Sequence, residues 1–248
     1  MSTIRTIPDS TNEVDQGHES AASPEMAGLS SLLQAIFTPP QQPAETNHGE
    51  PGFAAAFIAE SISILQQVDT AEIELMATGL ARVRAAGGRL FVLGVGGSAA
   101  HASHAVNDFR KMCGFEAYAP TDNIAELTAR ANDEGWDACF AAWLRGSRIS
   151  SKDAVMVFSV GGGDVERKVS VNIVRALDAA VEAGAHVFGI VGRDGGFTKK
   201  VANVCVVIPP MVKERVTPHT DSLCAVVCHL LVSHPVLQRR PAKWESMR

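Results

Sequence analysis

The chain has 248 residues, of which 46% are hydrophobic and 20% are charged, and its formal net charge is −5. This length and composition are typical of a globular domain with a buried core, and they exclude a membrane span because no apolar run is long enough to cross a bilayer. Residues 1–50 hold seven acids and one base, so the remaining residues have a net charge near +1. Without a basic stripe, we expect no binding to nucleic acid.

The first 50 residues differ in character from the rest. Six of the twelve prolines lie in residues 1–51, and helical periodicity is limited to residues 26–37. We predict a largely disordered tail over residues 1–50 that contains one short helix. The start of the chain lacks the apolar stretch of a secretory signal, and the five cysteines are odd in number and dispersed, which is typical of reduced thiols in the cytoplasm.

The elements that follow alternate between helices and strands. Apolar spacing predicts an antiparallel helical pair at 53–68 and 71–86, and Gly87-Gly88 ends the second helix. The predicted strands are 89–95, 116–120, 153–160, 186–192 and 204–209, and the predicted later helices are 98–112, 122–131, 164–183 and 218–233. This alternation predicts an α/β fold with a doubly wound parallel sheet over residues 51–240, followed by a C-terminal tail at 241–248.

Two glycine-rich loops each follow a predicted strand and open a predicted helix. The first is Gly94-Val95-Gly96-Gly97-Ser98, and the second runs from Ser159 to Asp164. Ligands bind at the carboxyl ends of such strands, and glycines allow backbone N–H groups to approach an anion closely. For either loop alone, a simple tight turn between strand and helix is an equally good explanation.

Several stretches together resemble the sugar-isomerase (SIS) family, and within it the phosphoheptose isomerases. They are "GVGGSAAHASHAVNDF", "RANDEGWDACF", "FSVGGGDVERKVSVNIVRALDAAVEAGAHVFGIVGRDGG" and a terminal helix that contains His229. The resemblance extends over residues 52–235. It implies a flavodoxin-like α/β/α domain, a homotetramer, and isomerisation of sedoheptulose 7-phosphate to glycero-manno-heptose 7-phosphate, with zinc in the active site of several members.

The resemblance also implies roles for individual residues. Moving a carbonyl between adjacent carbons requires a base that shuttles a proton and an acid that protonates the oxygens. These roles fall on Asp108 and His229, where Asp108 replaces the glutamate of the family. The implied metal ligands are His104, Asp108, Asp221 and His229, a set suited to zinc or another divalent ion.

Each of these residues also has an ordinary structural explanation. A histidine on a helix is more often a surface or core residue than a ligand, and only the spacing within each helix is visible in the sequence. His104 precedes Asp108 by four residues and shares its helix face. His101 is expected to line the site, and Cys224 and Cys228 are expected in the core, with Cys228 as a reserve ligand.

The implied substrate-binding residues lie on the loops and at the end of one helix. They are Gly96, Gly97, Ser98, Asn132, Asp133, Ser159, Gly161, Gly162 and Gly163. The second loop departs from the family pattern Ser-Thr-Ser-Gly-Asn-Ser, because Val160, Gly161, Gly163 and Asp164 replace four of its six residues. Hydroxyl donors are lost, and Asp164, if it caps the next helix, would repel a phosphate there. Backbone N–H groups, Arg167 and Lys168 are expected to compensate.

Two functions therefore remain open. The first is an aldose–ketose isomerase for sedoheptulose 7-phosphate or a closely related sugar phosphate, with zinc as the expected cofactor. The second is a non-catalytic SIS module that binds a sugar phosphate or a protein partner. A carboxylate at 108 with His104 and His229 favours the enzyme, whereas the altered second loop favours the binding module.

Overall fold

Five parallel strands form the central sheet of the structure, a computed structural model that describes residues 52–247. The strands are β1 (Leu90–Leu93), β2 (Ala117–Tyr118), β3 (Ala154–Ser159), β4 (His186–Val191) and β5 (Val204–Val207). Their order is β2-β1-β3-β4-β5, the flavodoxin-like order, which confirms the predicted fold class. The predicted N-terminal tail lies outside the described residues.

Helices surround this sheet. They are α1 (Phe53–Leu65), α2 (Thr70–Ala85), α3 (Gly97–Lys111), α4 (Ile124–Asp133), α5 (Cys139–Gly146), α6 (Val171–Glu182), α7 (Gly196–Val201), α8 (Val216–Ser233) and α9 (Lys243–Ser246), with short 3₁₀ turns at Pro120–Asp122 and Lys213–Arg215. The helical pair α1 and α2 precedes the sheet as predicted. No helix within residues 52–247 has the length and apolar character to span a bilayer.

Side chains along each strand alternate between the two faces of the sheet, which divides the core into two layers. On β3, Met156 and Phe158 pack with α1, α2, α3 and α8, whereas Val155 and Val157 pack with α5 and α6 on the other face. All six residues of β3 are buried, as a central parallel strand covered on both faces requires. Two hydrophobic layers therefore fix the strand ends, and the loops beyond those ends, in place.

The helix predicted at 164–183 begins at Val171 instead. Asp164 and Val169 exchange two backbone hydrogen bonds, with N···O distances of 2.8 and 2.9 Å, and so form the ends of a tight turn. Lys168 and Ser170 have φ values of 53° and 50°, which a right-handed helix does not allow. Asp164 therefore does not cap this helix, and the turn 164–169 separates the second loop from α6.

The other helix and strand boundaries differ less from the predicted ones. The helix predicted at 122–131 begins at Ile124, where the Asn123 side chain accepts a hydrogen bond from the Glu126 N–H, and β2 is shorter than its predicted strand. The helices α5 and α7 were not predicted. They have eight and six residues, too few for their apolar spacing to stand out in the sequence.

Candidate active site

A cleft of about 850 Å³ lies beyond the carboxyl ends of β1, β3 and β4. Strand β1 is the point where the sheet order reverses, and ligands of open α/β sheets bind there. The lining includes Ser98 from the first loop and Ser159, Gly161 and Gly163 from the second. The structure thus brings the two predicted loops to one cavity.

Hydrogen bonds join the second loop to the loop and helix that follow β4. The carbonyl oxygen of Gly162 accepts from the Thr198 N–H at 2.9 Å and from Thr198 Oγ1 at 2.8 Å, and the Gly163 oxygen accepts from the Phe197 N–H at 2.9 Å. Gly162 has a φ of 70°, and a Cβ at this position would collide with the Gly195 carbonyl oxygen. The glycine at 162 is therefore required by both its backbone conformation and the close approach of the neighbouring chain.

Two side chains of the second loop are engaged within the loop itself. Ser159 Oγ accepts from the Gly162 N–H at 3.0 Å, and Asp164 Oδ1 accepts from the Arg167 N–H at 2.9 Å. The hydrogen bond from Arg167 lowers the pKa of the Asp164 carboxyl, which also pairs with the Arg167 guanidinium at 3.2 Å. Asp164 is thus held at the turn by Arg167 and not at a helix start, although it still lines the cleft.

Several basic side chains that line the cleft were not predicted from the sequence. In addition to Arg167, the lining includes Arg193, Lys199 and Lys200, which lie after β4 and on α7. The stretch Gly192-Arg193-Asp194-Gly195-Gly196 is a third glycine-rich loop after a strand, and this was the signal that could have revealed them. Phosphates bind where such cations meet backbone N–H groups.

Three of the predicted site residues form a second group, which joins α3 to α8. His104 Nε2 lies 3.0 Å from Asp108 Oδ2, His229 Nε2 lies 3.7 Å from the same oxygen, and the two imidazole Nε2 atoms are 3.3 Å apart. The carboxylate is 13% exposed, whereas both imidazoles are more than half exposed. The structure therefore brings together three of the four predicted metal ligands on an accessible surface.

The spacing of these atoms fits a metal ion. Four tetrahedral ligands bonded to zinc at about 2.0–2.1 Å lie about 3.3–3.4 Å from one another. The three distances observed here, 3.0, 3.3 and 3.7 Å, bracket that value. Two imidazoles and a carboxylate are also ligand types that zinc accepts.

Asp221, the fourth predicted ligand, is not part of this group. Its Oδ1 accepts a hydrogen bond from Ser98 Oγ at 2.9 Å, at the start of α3. Eight residues separate Asp221 from His229, which corresponds to about 12 Å along α8. The structure consequently places Asp221 with the first loop and not with His104, Asp108 and His229.

Four further residues singled out in the sequence fall into two classes. Cys228 and Cys224 are buried in the core as expected, and burial raises the pKa of the Cys228 thiol to about 12, which makes it a poor ligand. Asn132 and Asp133 are exposed at the end of α4, where the Asn132 amide donates to the Asp133 carboxylate at 2.8 Å. Neither belongs to the lining of the cleft.

A partly buried polar cluster anchors the start of α8 to α1. Arg215 Nε donates to Glu60 Oε2 at 2.8 Å, and His219 Nε2 lies 2.9 Å from the same oxygen. The ring of Phe57 stacks on that of His219, with centroids 4.2 Å apart. The hydrogen bonds from Arg215 and then from His219 lower the pKa of Glu60 from 4.5 to about 2, so this glutamate is held ionised.

Comparison with known proteins agrees with this architecture. Residues 56–192 match the SIS domain family, which is more than half of the chain. The phosphoheptose isomerase of Trichlorobacter lovleyi is 29% identical over 187 residues, covering 72% of this chain and 92% of that protein. The phosphoheptose isomerase of Geotalea daltonii is 31% identical over 175 residues, covering 68% and 85% respectively.

A solved structure of a phosphoheptose isomerase is also similar to this chain. The phosphoheptose isomerase of Neisseria gonorrhoeae superimposes with a TM-score of 0.63 at 26% identity. The match covers 72% of this chain and 95% of that protein. The similarity therefore includes nearly the whole length of the relatives and is not limited to the glycine loops.

Proposed function

This chain belongs to the SIS domain family, and we propose that it is a sugar-phosphate isomerase that acts on sedoheptulose 7-phosphate or a closely related sugar phosphate. The observation that supports this most directly is the partly buried Asp108 carboxylate between the imidazoles of His104 and His229. A carboxylate and an imidazole on one accessible surface are the two groups that an aldose–ketose isomerisation requires.

The phosphate end of the substrate is assigned to the cleft. Arg193, Lys199 and Lys200 supply positive charge there, and Gly161 and Gly163 of the second loop line the cleft in place of the hydroxyl residues of the family pattern. The cations of the third loop thus compensate for the altered second loop. This arrangement weakens the argument for a non-catalytic binding module, which was based on that alteration.

The distance along α3 from the cleft to His104 and Asp108 indicates where the reacting end of the substrate lies. Ser98 lines the cleft, and His104 and Asp108 lie six and ten residues later on the same helix, which is about 9 and 15 Å along its axis. A substrate that reaches from the cleft to these side chains must have its carbonyl far from its phosphate. With carbon–carbon bonds of about 1.5 Å, a seven-carbon ketose 7-phosphate suits this separation better than a triose or tetrose phosphate.

The proton transfers divide between the two side chains. Asp108 removes the proton from the carbon next to the carbonyl, and a double bond forms between the two carbons. Asp108 then returns the proton to the former carbonyl carbon, and the double bond becomes a single bond again. In ring opening, His229 donates a proton to the ring oxygen and the anomeric hydroxyl gives a proton back as it becomes the carbonyl. In the isomerisation, His229 donates a proton to the carbonyl oxygen that becomes a hydroxyl and takes one from the neighbouring hydroxyl that becomes the new carbonyl. Asp108 Oδ1, which accepts from the Asn107 amide at 2.9 Å, is the carboxylate oxygen that does not face the imidazoles.

We further propose that His104, Asp108 and His229 hold a zinc ion. A zinc ion with three protein ligands and one open position is typical of catalytic sites, and it would supply a Lewis acid that polarises the substrate carbonyl. With Oδ2 facing the imidazoles, Asp108 Oδ1 remains available for proton transfer. The absence of Asp221 from the group is consistent with an open fourth position.

A homotetramer is the expected assembly. Large apolar side chains are exposed on the helices of one face of the sheet: Phe53, Ile58, Ile62 and Leu65 on α1, Leu75 on α2, and Val226 and Leu230 on α8. Such a surface is typical of a subunit contact. Light scattering at micromolar concentration should give the mass of a tetramer, and a monomer mass would contradict the assembly.

The decisive experiment is a coupled assay with sedoheptulose 7-phosphate as substrate, on the full chain incubated with zinc. The isomerase would be supported if the parent protein turns over this substrate, Asp108→Asn does not, and the control variant Asp178→Asn on α6 does. Binding of the sugar phosphate without turnover in the parent protein would instead favour the binding module.

A further inference from the structure

The carboxylate of Asp221 lies at the N-terminus of α3. Its Oδ1 accepts from Ser98 Oγ at 2.9 Å, and Ser98 is only 5% exposed. A Cβ on Gly97 would collide with Asp221 Oδ2, so the carboxylate fills the space that a side chain at 97 would occupy. Gly97 lies in the helix with a negative φ, so its backbone conformation does not require glycine. The absence of a side chain at 97 instead makes room for the Asp221 carboxylate.

This location is one that an anion favours. The first N–H groups of a helix and its dipole attract negative charge, and Gly96, which precedes α3, provides no side chain to cap them. Asp221 supplies that negative charge from a different helix. The first glycine loop, which the sequence suggests as a phosphate cradle, therefore already has an anion at its helix start.

The first turn of α8 is fixed in position. His219, two residues before Asp221, is 2% exposed and bound to Glu60 of α1. Thr220 packs so closely on Gly192 that a Cβ there would collide with Thr220 Oγ1. The backbone of Asp221 thus lies beside two anchored residues, and its carboxylate is oriented by the hydrogen bond from Ser98.

We propose that Asp221 is a positioning residue that occupies the anion position at the start of α3 and thereby directs the substrate phosphate to the second loop and the cations after β4. The inference deepens the proposed function and depends on it only for the phosphate group of the ligand. Asp221 acts through its charge and through Ser98, and it is not a ligand of the metal at His104, Asp108 and His229.

The test is binding of inorganic phosphate by isothermal titration calorimetry to the full chain loaded with zinc. In Asp221→Asn, which keeps the shape and an acceptor for Ser98, the loss of one negative charge should tighten phosphate binding about tenfold. Gly97→Ala should change phosphate affinity in the same direction, because the new methyl group displaces the carboxylate. Glu182→Gln removes an exposed carboxylate on α6 that does not line the cleft, and we expect less than a threefold change.

Kinetics and metal content complete the test. Asp221→Asn should lower kcat without raising KM for the sugar phosphate, because a phosphate bound at α3 places the carbonyl away from Asp108. Its zinc content should equal that of the parent protein. Unchanged phosphate affinity in Asp221→Asn, or an equal gain in Glu182→Gln, would overturn the proposal, and so would loss of zinc, which would make Asp221 a ligand. Phosphate affinity and zinc content need no turnover, so they remain informative even if the isomerase proposal fails.

Discussion

The Nε2 atoms of His104 and His229 lie 3.3 Å apart, on helices α3 and α8. Two nitrogens at this distance share a hydrogen bond only when one donates an N–H and the other accepts with a lone pair. A divalent ion between them would accept lone pairs from both, together with the carboxylate of Asp108.

We therefore expect the purified protein to bind one zinc ion per chain, with an affinity that falls as the pH is lowered, because protons compete for the imidazoles. His104→Ala should reduce zinc content at least tenfold after dialysis, measured by elemental analysis. His101→Ala, on the same helix but outside the group, is the control and should retain the metal. Equal zinc retention in both variants would contradict the site.

Asp108→Asn should lower kcat by at least 100-fold, because the amide cannot accept the substrate proton. His229→Ala should lower it to a similar extent through the loss of the acid. Circular dichroism and the melting temperature should show that Asp108→Asn still folds. Wild-type turnover in that variant would contradict the assignment of Asp108 as the base.

Arg193→Ala should raise KM for the sugar phosphate about fivefold or more and change kcat less, because it removes a cation from the phosphate end of the cleft. Arg193 already has a φ of 52°, so alanine adds little new backbone strain. Arg145→Ala, whose partner Glu182 is exposed, is a matched control. If both variants give the parent KM, the phosphate lies elsewhere.

Acid should destabilise the contact between α1 and α8. The pKa of Glu60 is about 2 in the folded chain, below its ordinary value of 4.5, so its ionised form contributes stability above pH 4.5 that is lost as the pH falls towards 2. Urea unfolding at several pH values should show that Glu60→Gln is less stable than the parent at pH 6, with a difference that shrinks towards pH 2. Glu182→Gln, which removes an exposed carboxylate, serves as the control. A difference that does not change with pH would exclude this role of Glu60.

The segment before the described residues should be removable. Residues 1–50 lack the apolar content that would offset the entropy of ordering them. A protein that begins at Gly52 should keep its melting temperature within about 5 °C of the full chain, as measured by calorimetry. A larger fall would show that this segment contributes to stability.

The sequence allowed the sheet and part of the site to be predicted. Alternation of strands and helices was sufficient for the fold class, and the four-residue spacing placed His104 and Asp108 on one helix face. The meeting of that face with His229 depends on how α3 and α8 pack on the sheet. No local pattern contains that information, and only the resemblance to SIS proteins indicated it.

The errors have physical reasons as well. Residues 164–170 were included in a helix because nothing in their spacing shows the hydrogen bonds between Asp164 and Val169. The cations Arg193 and Lys199 were missed because α7 has only six residues and follows a loop that was not considered. Asp221 has helical spacing to His229, yet its actual partner Ser98 is 123 residues away in the chain.

The turn between Asp164 and Val169 has a consequence for protein engineering. Its two ends are joined by their own backbone hydrogen bonds, while the neighbouring Gly162 and Gly163 are held by α7. Within the turn, Arg167 contacts Asp164 through its N–H and its guanidinium, and Lys168 has a φ of 53°, so these two residues should be kept. A library randomised at Val165 and Glu166 would vary one wall of the cleft, which makes these two positions a suitable starting point for selecting isomerases with new sugar-phosphate preferences.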